Sequence, residues 1–322
     1  MRNWLQEFSR TRHRILIEDA LKHIYACEVE NLPATMESLA GALHIHRKKA
    51  VRLCTEMQKQ HLVKWVGGAM QLSDTGRELT LQIIRAHRLW ERYLADEAGM
   101  SLLDIHAEAD RREHHRLPAR MEALEAQMGH PVVDPHGDPI PRADGSVSTQ
   151  DRTSLTDWPM GQDARVIHIE DEPRQAMAEI LRTGLKPGSI LVPLEKTAST
   201  LRFRVHGREQ DLPLNIAANI HVTSPSFEEK EKSTSPTLDD LPLHYRAIVK
   251  KIDSSCRGFT RRRLLDLGIT PGTEIEAELA TGGGSARAYR VRDTLIALRR
   301  EQAKMILLHA DSFQPADRGA VA

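Results

Sequence analysis

The chain has 322 residues, a hydrophobic fraction of 40% and a formal net charge of zero, a composition that predicts a globular protein of two or three domains. Because the total charge is balanced, nucleic-acid binding through bulk charge is excluded, and any such interface has to be a local basic patch. The three cysteines lie far apart and form no CxxC pair, which argues against a disulfide framework and against a cysteine zinc site.

The N-terminal residues are charged and lack the apolar core of a signal peptide. No apolar run approaches the roughly 18 residues of a membrane span, so we expect no membrane insertion. The three separated cysteines fit a reducing cytoplasm. Residues 14–30 carry apolar side chains on one face and predict an amphipathic helix, with Asp19 beside that face. A single carboxylate on a helix is usually a solvated one, so Asp19 alone predicts no function.

Residues 35–72 follow the order of helix, short turn, basic helix and hairpin. Thr35 is a plausible helix cap, and Gly67-Gly68 separates two short runs of strand-forming residues, as in a tight hairpin turn. This order predicts a winged helix-turn-helix, whose second helix enters the major groove of DNA.

A local basic patch coincides with the second of these helices. Between residues 44 and 64 the sequence has six basic side chains and one acid. The alternative is a solvated basic face, but the surrounding layout favours DNA binding, because a recognition helix carries its phosphate and base contacts near its start. The candidate DNA contacts are His46, Arg47, Lys48, Lys49 and Arg52.

Imidazoles and carboxylates recur at helical spacing in the middle of the chain. His106, Asp110, Glu113 and His114 follow one another in steps of three and four residues, which places them on one face of a helix. About 20 residues earlier, His87 and Glu91 are spaced four apart on another predicted helix. Imidazole with carboxylate suits divalent first-row metals. The alternative is a charged helix with solvated histidines.

From residue 154 onward the pattern changes to short strands. The segment Gly184–Ser189 (GLKPGS) reappears as Gly268–Thr273 (GITPGT), and each copy follows a strand and a short helix. An internal repeat of this length predicts two copies of one small β-barrel. Gly282–Gly284 predicts a flexible hairpin tip, because it lacks the Lys and Ser/Thr of a phosphate-binding loop.

The chain is therefore predicted to be a multidomain α+β protein. The predicted parts are a winged helix-turn-helix (1–75), a helical dimerisation and metal-binding domain (76–141), a linker (142–153), an SH3-like barrel (154–222), a second linker (223–240), a second SH3-like barrel (241–309) and a disordered tail (310–322). The apolar seam of the helical domain is equally compatible with an intramolecular core.

The first 141 residues resemble the metal-dependent repressors of the diphtheria-toxin-repressor and manganese-transport-regulator family. The two predicted barrels are similar to the SH3-like domain that ends many iron-dependent members, and to the small FeoA protein of ferrous-iron uptake. The motifs that carry the first resemblance are Ile24-Tyr25, Ser73–Gly76, His87–Glu91, His106–His114 and Asp134–Pro141.

The resemblance implies two adjacent metal sites per subunit. The primary ligands would be Asp19, Asp110, Glu113 and His114. The ancillary ligands would be His87, Glu91 and His106. In iron-dependent members the barrel adds a Glu-x-x-Gln pair to the ancillary site, and Glu172 and Gln175 have that spacing.

The metal itself is left open between Mn²⁺ and Fe²⁺. Asp19 and Asp110 stand where the iron-dependent branch has Met and Cys and the manganese branch has acids, and oxygen ligands favour the harder ions. Lys22 departs from the manganese branch, which has a second carboxylate at that position. The C-terminal barrels are typical of the iron-dependent branch.

The predicted function is a homodimeric, metal-activated transcriptional regulator that binds a palindromic operator in double-stranded DNA. One alternative is an FeoA-like interaction or regulatory protein of ferrous-iron transport, in which the barrels dock on a protein partner. A metal hydrolase is the least favoured alternative, because the sequence has no HExxH and no nucleophile motif. The chain is therefore expected not to be an enzyme.

Overall fold

The computed structural model describes residues 2–115, 117–149, 151–227, 229, 235–280 and 286–316, with side chains from residue 11 onward. The chain forms two compact units. The first unit comprises Met1–Glu122 and Val132–Gln150, and the second comprises Ala123–Pro131 and Asp151–Ala322. Among the described residues, no helix has both the length and the apolar character needed to cross a bilayer.

The first unit begins with three helices and a hairpin: α1 (Arg2–Val29), α2 (Met36–Ala42), α3 (Arg47–Lys59), β1 (Val63–Val66) and β2 (Ala69–Leu72). Helix α1 starts well before residue 14, where the sequence pattern placed it. Thr35 caps α2, because its side chain accepts a hydrogen bond from the backbone N–H of Ser38 while the Ser38 side chain accepts one from Thr35. This reciprocal capping box satisfies two N–H groups that the helix leaves unpaired.

These elements share one apolar core. Helix α1 contributes Leu21 and Ile24, α3 contributes Leu53 and Met57, and the hairpin contributes Met70. All five side chains are buried. Because α1 and α3 are packed into the same core, a force on α1 is transmitted to α3 through close-packed side chains.

Three further helices follow: α4 (Asp74–Asp96), α5 (Leu102–Glu113) and α6 (Pro118–Gln127). The side chain of Ser73 caps α4 by accepting a hydrogen bond from the N–H of Gly76. Only glycine fits at position 76, since a Cβ there would lie 1.9 Å from the carbonyl oxygen of Leu62. This close approach fixes the start of α4 against the chain that leads into the hairpin. Helix α5 packs along α4.

Most of the second unit consists of two antiparallel sheets. The first sheet has the strand order β3-β8-β4-β5-β6-β7. Its strands are β3 (Thr153–Ser154), β4 (Ala164–Ile169), β5 (Ile190–Lys196), β6 (Thr200–Val205), β7 (Arg208–Pro213) and β8 (Ile220–Thr223). The helices between them are α7 (Arg174–Arg182) and α8 (Leu214–Ala217).

The second sheet has the order β12-β11-β10-β9-β13, with β14 also paired to β9. Its strands are β9 (Tyr245–Ile252), β10 (Glu274–Ala280), β11 (Ala286–Val291), β12 (Thr294–Arg299), β13 (Ile306–Leu308) and β14 (Gln314–Pro315). Its helices are α9 (Gly258–Asp266) and α10 (Arg300–Ala303). The predicted hairpin tip Gly282–Gly284 lies outside the described residues.

The two sheets repeat the same local hydrogen bonds at the GLKPGS and GITPGT turns. The N–H of Gly188 donates to the carbonyl of Val166 at 2.7 Å, and the N–H of Gly272 donates to that of Val249 at 2.8 Å. Both glycines have positive φ, 91° and 85°, a conformation that glycine adopts without the steric penalty of a Cβ. The repeated sequence motif therefore corresponds to a repeated turn.

The structure differs from the predicted division at two edges of the second sheet. The tail was predicted to be disordered from residue 310, but Gln314 pairs with Arg246 in β9, so that prediction is wrong for the described residues 310–316. Leu238 falls in the predicted second linker, yet it is fully buried in the core of this sheet. Short apolar or strand-forming stretches inside polar segments explain both errors.

Candidate metal centre and nucleic-acid interface

Three helices of the first unit bring imidazoles and carboxylates together. Helix α1 supplies one residue, α4 supplies two, and α5 with its C-terminal cap supplies four. The spacing of three and four residues keeps the side chains of each helix on a common face. The seven residues are Asp19, His87, Glu91, His106, Asp110, Glu113 and His114, so the predicted ligands of the helical region converge on one place.

The first group in this region consists of Asp19, Glu113 and His114, which each offer a ligand atom within 4.8 Å of the other two. Nε2 of His114 lies 3.5 Å from Oδ1 of Asp19 and 3.6 Å from Oε1 of Glu113. Glu113 and His114 are buried. Two carboxylates and one imidazole are a ligand set that divalent first-row ions accept, and this set joins α1 to the end of α5.

The second group consists of His87, His106 and Asp110. Nδ1 of His87 lies 3.3 Å from Oδ1 of Asp110, and Nε2 of His87 lies 3.3 Å from Nδ1 of His106. Glu91 contacts both imidazoles, at 3.0 Å from His87 and 3.2 Å from His106. Asp110 was predicted in the primary set with Asp19, whereas its oxygens group with the predicted ancillary histidines.

The two groups are directly connected. Nδ1 of His87 lies 2.6 Å from Oε2 of Glu113, so one imidazole touches a carboxylate of the other group. This contact places His87 beside both groups. The residues present fit a pair of adjacent divalent-ion sites, because each group combines carboxylate oxygen with imidazole nitrogen.

Lys22 on α1 places an ammonium group among these carboxylates. Its Nζ lies 3.1 Å from Oδ1 of Asp110 and 2.9 Å from each oxygen of Glu113. Burial alone would lower the pKa of Lys22, but Glu113 and Asp110 raise it above its usual value. The lysine is therefore charged, and it compensates part of the negative charge of the centre.

His87 and Asp110 are shifted towards their charged forms, whereas burial raises the pKa of Asp19 above its usual value. Burial would lower the pKa of His87, but its hydrogen bonds to Asp110 and Glu113 raise the pKa well above its ordinary value. Burial would raise the pKa of Asp110, but His87 and Lys22 hold it below its usual range. Charged forms are thus favoured on both sides, and proton release accompanies binding of an ion to these ligands.

Two residues near the centre were missed by the sequence analysis. Oε2 of Glu18 lies 2.6 Å from Nδ1 of His114, and both side chains are buried. A carboxylate that holds the second nitrogen of a metal-binding histidine orients the ring and increases its basicity. His136 is buried with Nε2 3.8 Å from Glu91. Its position in the DPHGDPIP segment, one of the motifs that carry the family resemblance, was the available signal.

Glu172 and Gln175 lie in the second unit, where Glu172 precedes α7 and Gln175 is on its first turn. Both side chains are exposed. Their assignment to the ancillary site, which the resemblance implies through their Glu-x-x-Gln spacing, stays a prediction.

The basic patch lies at the start of α3. His46 is the N-cap residue, and its Nδ1 accepts a hydrogen bond from the N–H of Lys48 at 3.3 Å. Arg47 pairs with Glu37 at 3.0 Å. All five predicted DNA contacts, His46, Arg47, Lys48, Lys49 and Arg52, are exposed.

Two family descriptions match separate parts of the chain. Residues 73–142 match the iron dependent repressor, metal binding and dimerisation domain. Residues 237–309 match the FeoA domain. The first range contains α4, α5 and α6, and the second contains β9 to β13.

Known proteins match a larger part of the chain. It is 25% identical over 217 residues to the iron-dependent repressor IdeR of Mycobacterium leprae, a match covering 63% of this chain and 94% of that protein. It is 26% identical over 226 residues to the diphtheria toxin repressor of Corynebacterium jeikeium, with the same two coverages, 63% and 94%.

Solved structures agree with these matches. A manganese-dependent transcriptional repressor in complex with manganese is 30% identical, with a TM-score of 0.60, over 65% of this chain and 100% of that chain. The crystal structure of T. acidophilum IdeR, 24% identical with a TM-score of 0.54, covers 65% of this chain and 97% of its own and shows the same fold. The chain therefore belongs to the diphtheria-toxin-repressor and manganese-transport-regulator family of metal-dependent transcriptional regulators, and it carries a C-terminal FeoA domain.

Proposed function

We propose that the protein is a homodimeric regulator of metal-ion homeostasis whose binding to a palindromic operator is switched on by Mn²⁺ or Fe²⁺. The observation that carries this proposal is the position of Asp19. It lies on α1, yet its carboxylate is 3.5 Å from His114 at the end of α5. An ion held there supplies positive charge that draws these carboxylates and imidazoles together.

Helix α1 links this centre to the DNA-binding elements. Leu21 and Ile24 follow Asp19 on α1 and pack in the same buried core as Leu53 and Met57 of α3. When Asp19 is held against α5, α1 is held as well, and the core passes the constraint to α3. A coupling of about 1–3 kcal/mol between the two sites is enough for a regulatory switch.

The DNA-binding part is assigned to a winged helix-turn-helix made of α2, α3 and the β1–β2 hairpin. The exposed basic side chains at the start of α3 would contact phosphates and base edges, as recognition helices do. In a two-fold symmetric dimer the two α3 helices would meet half-sites about 34 Å apart, which is one turn of DNA. A palindromic operator follows from that symmetry.

The primary ligands are assigned, as the resemblance implies, to Asp19, Asp110, Glu113 and His114, with Glu18 orienting His114. Asp110 also lies 3.3 Å from His87 and so stands between the two sites. His87, Glu91 and His106 are assigned to the ancillary site, and His87 contacts both. The excess of carboxylate oxygen over imidazole nitrogen favours Mn²⁺ and Fe²⁺ over softer ions. The manganese- and iron-dependent repressors among the relatives support the same two metals.

The test is DNA binding by fluorescence anisotropy on a palindromic duplex selected from a random library, with EDTA and then with Mn²⁺, anaerobic Fe²⁺, Co²⁺ or Zn²⁺. We expect tight binding with Mn²⁺ or Fe²⁺ and weak binding with EDTA. Asp110→Ala should abolish the metal response while leaving the dimer intact. Glu108→Ala is the matched control, because Glu108 is on the same helix and pairs with Arg111 and Arg112 instead.

Equal affinity with and without metal, or an unchanged response in Asp110→Ala, would refute the metal switch. Absence of binding to any duplex, together with capture of a membrane transporter by the full chain, would favour the FeoA-like interaction protein. Failure of the metal switch and the FeoA-like alternative are distinguishable, because the protein still binds DNA in the first case and does not in the second.

A further inference from the structure

A further group of metal-ligand side chains lies in the first sheet. His168 on β4, Glu170 directly after β4, and His221 on β8 each offer a ligand atom within 4.8 Å of the other two. Nε2 of His168 lies 3.2 Å from Oε1 of Glu170, and Nδ1 of His221 lies 3.9 Å from the same oxygen. None of the three is among the ligands assigned to the helical centre.

The strand pairing fixes this arrangement. His168 is the direct antiparallel partner of His221, and their ring centroids are 5.4 Å apart. A register shift between Val166 and His168 interrupts the ladder just before this pair. Such irregularities re-aim side chains next to functional sites. Glu170 follows His168 by two residues, so it returns to the same face of the chain.

The group is buried on one side and open on the other. The His168 side chain is 4% exposed, that of His221 is 24% exposed and that of Glu170 is 45% exposed. An ion could therefore enter past Glu170 and still be held by an imidazole that the sheet keeps in place. Rigid elements hold ligand geometry better than loops do.

The second sheet provides an internal comparison. Ile169 pairs with Ile220 in the first sheet, and Ile252 pairs with Ile306 in the second, which fixes the correspondence between the sheets. At the positions of His168 and His221 the second sheet has Lys251 paired with Leu307. The fold therefore does not require two histidines at this pair of positions.

We propose that His168, Glu170 and His221 form a third metal site, which binds a divalent ion of the Zn²⁺ class. Two imidazole nitrogens and one carboxylate oxygen are a ligand set of zinc proteins, and three protein ligands leave a further position for water or another ligand. Imidazole suits Zn²⁺, Cu²⁺ and Ni²⁺, whereas Mg²⁺ and Ca²⁺ prefer sites made of oxygen alone. The site thus differs in metal preference from the carboxylate-rich helical centre.

The test is the number of Zn²⁺ ions bound per full-length chain. Bound metal is first removed with a chelator, the protein is then dialysed to equilibrium against Zn²⁺, and the bound Zn²⁺ is measured by elemental analysis. The informative variant is His221→Leu, which copies the residue that the second sheet has at this position. The control is His309→Gln, which removes an exposed imidazole elsewhere in the same unit. We expect His221→Leu to bind one ion fewer than the wild type, and His309→Gln to bind as many.

Two further measurements keep the proposal testable if His221→Leu does not fold. Glu170→Gln keeps the shape of a partly exposed side chain, and we expect it to weaken Zn²⁺ binding at this site by about tenfold or more. NMR of ¹⁵N-labelled histidines should show Zn²⁺ shifting the ring signals of His168 and His221. The proposal would be overturned if the wild type, His221→Leu and Glu170→Gln bound Zn²⁺ with equal stoichiometry and affinity. It would also be overturned if the ring signals of His168 and His221 did not change on adding Zn²⁺.

Discussion

The helical centre and the His168 group use different scaffolds for similar ligands. In the helical centre, residues spaced by three or four along α4 and α5 meet Asp19 from α1. In the first sheet, the cross-strand partners His168 and His221 lie close to Glu170, which follows His168 by two positions. The helical centre is rich in carboxylates and contains the ammonium of Lys22, whereas the sheet group sets one carboxylate against two imidazoles.

This difference suggests two separate roles. The candidate ligands of the helical centre join elements that are far apart in sequence, and one of those elements, α1, shares a core with α3. Under the proposed function, ion binding there would change the geometry of α3. The sheet ligands join neighbouring strands that are already paired by backbone hydrogen bonds. Binding there would stabilise one sheet without requiring a rearrangement. We therefore propose that the helical centre is a regulatory site and that the sheet group is a local structural site.

The strongest way to break this comparison is Glu113→Gln. Glu113 is fully buried and contacts both Lys22 and His87, so Glu113→Gln replaces a charged candidate ligand by a neutral one and removes one of the carboxylates that these two groups contact. We expect Mn²⁺ affinity to fall by about 100-fold or more, since loss of even an outer-shell group costs about 10–100-fold. The measurement is Mn²⁺ titration calorimetry of the full chain.

The matched control for this variant is His221→Leu, which alters the sheet group. It should leave Mn²⁺ affinity and Mn²⁺-dependent DNA binding unchanged. If Glu113→Gln bound Mn²⁺ as tightly as the wild type, the helical centre would not be the regulatory site. If His221→Leu lost the DNA response, the two groups would be energetically coupled and their separate roles would be refuted.

Cysteine labelling sharpens the comparison by reporting on each unit separately. Cys54 is buried in the core shared by α1 and α3, and Cys256 is buried in the second sheet. Burial raises the pKa of the Cys54 thiol to about 11. Because the thiol is buried and its raised pKa disfavours the reactive thiolate, labelling requires the core to open.

Mn²⁺ at 100 times its dissociation constant stabilises the bound form by about 2.7 kcal/mol. We therefore expect labelling of Cys54 to slow by up to about 100-fold with Mn²⁺, while labelling of Cys256 is unchanged. The measurement is peptide mass spectrometry after timed alkylation. Equal slowing of both cysteines would mean that Mn²⁺ stabilises the whole chain and not one unit.

Sequence reasoning reached the helical centre because its spacing is local. Steps of three and four residues along one helix are visible in the sequence, and His106, Asp110 and Glu113 do converge in the structure. His168 and His221 were not found, because their approach depends on strand register between segments 53 residues apart. Asp19 and Glu18 are both carboxylates on α1, and only tertiary packing distinguishes the one that holds His114.

The same argument applies to the ends of the elements. The strand Gln314–Pro315 is too short to show a period in the sequence, and it pairs with β9 in the structure. The sequence before residue 14 has fewer apolar residues than the segment that follows it, so the apolar pattern did not place the start of α1 there. The repeat of the GLKPGS turn was predictable because glycine, proline and a hydroxyl residue are required by the same backbone conformation in both copies.

The smallest effect on Mn²⁺ binding is expected for Lys22→Met. This variant tests the role of the ammonium group in the helical centre, and the three residues of the sheet group include no such group. The variant keeps an apolar side chain of similar length but leaves Asp110 and Glu113 without the ammonium that lies 3.1 and 2.9 Å from them. Without metal these carboxylates repel each other more strongly, so the apo protein should melt at a lower temperature. With Mn²⁺ the repulsion is relieved and no lysine competes.

We therefore expect Lys22→Met to bind Mn²⁺ about tenfold more tightly, which corresponds to about 1.4 kcal/mol, and to show a larger rise in melting temperature on adding Mn²⁺. Lys59→Met, at an exposed position at the end of α3, controls for the loss of a positive charge. Unchanged or weaker Mn²⁺ binding in Lys22→Met would mean that the ammonium supports the ligands instead of competing with the ion. In that case Lys22, which replaces the carboxylate of the manganese branch, would be part of the site, because it would hold Asp110 and Glu113 in place for the ion.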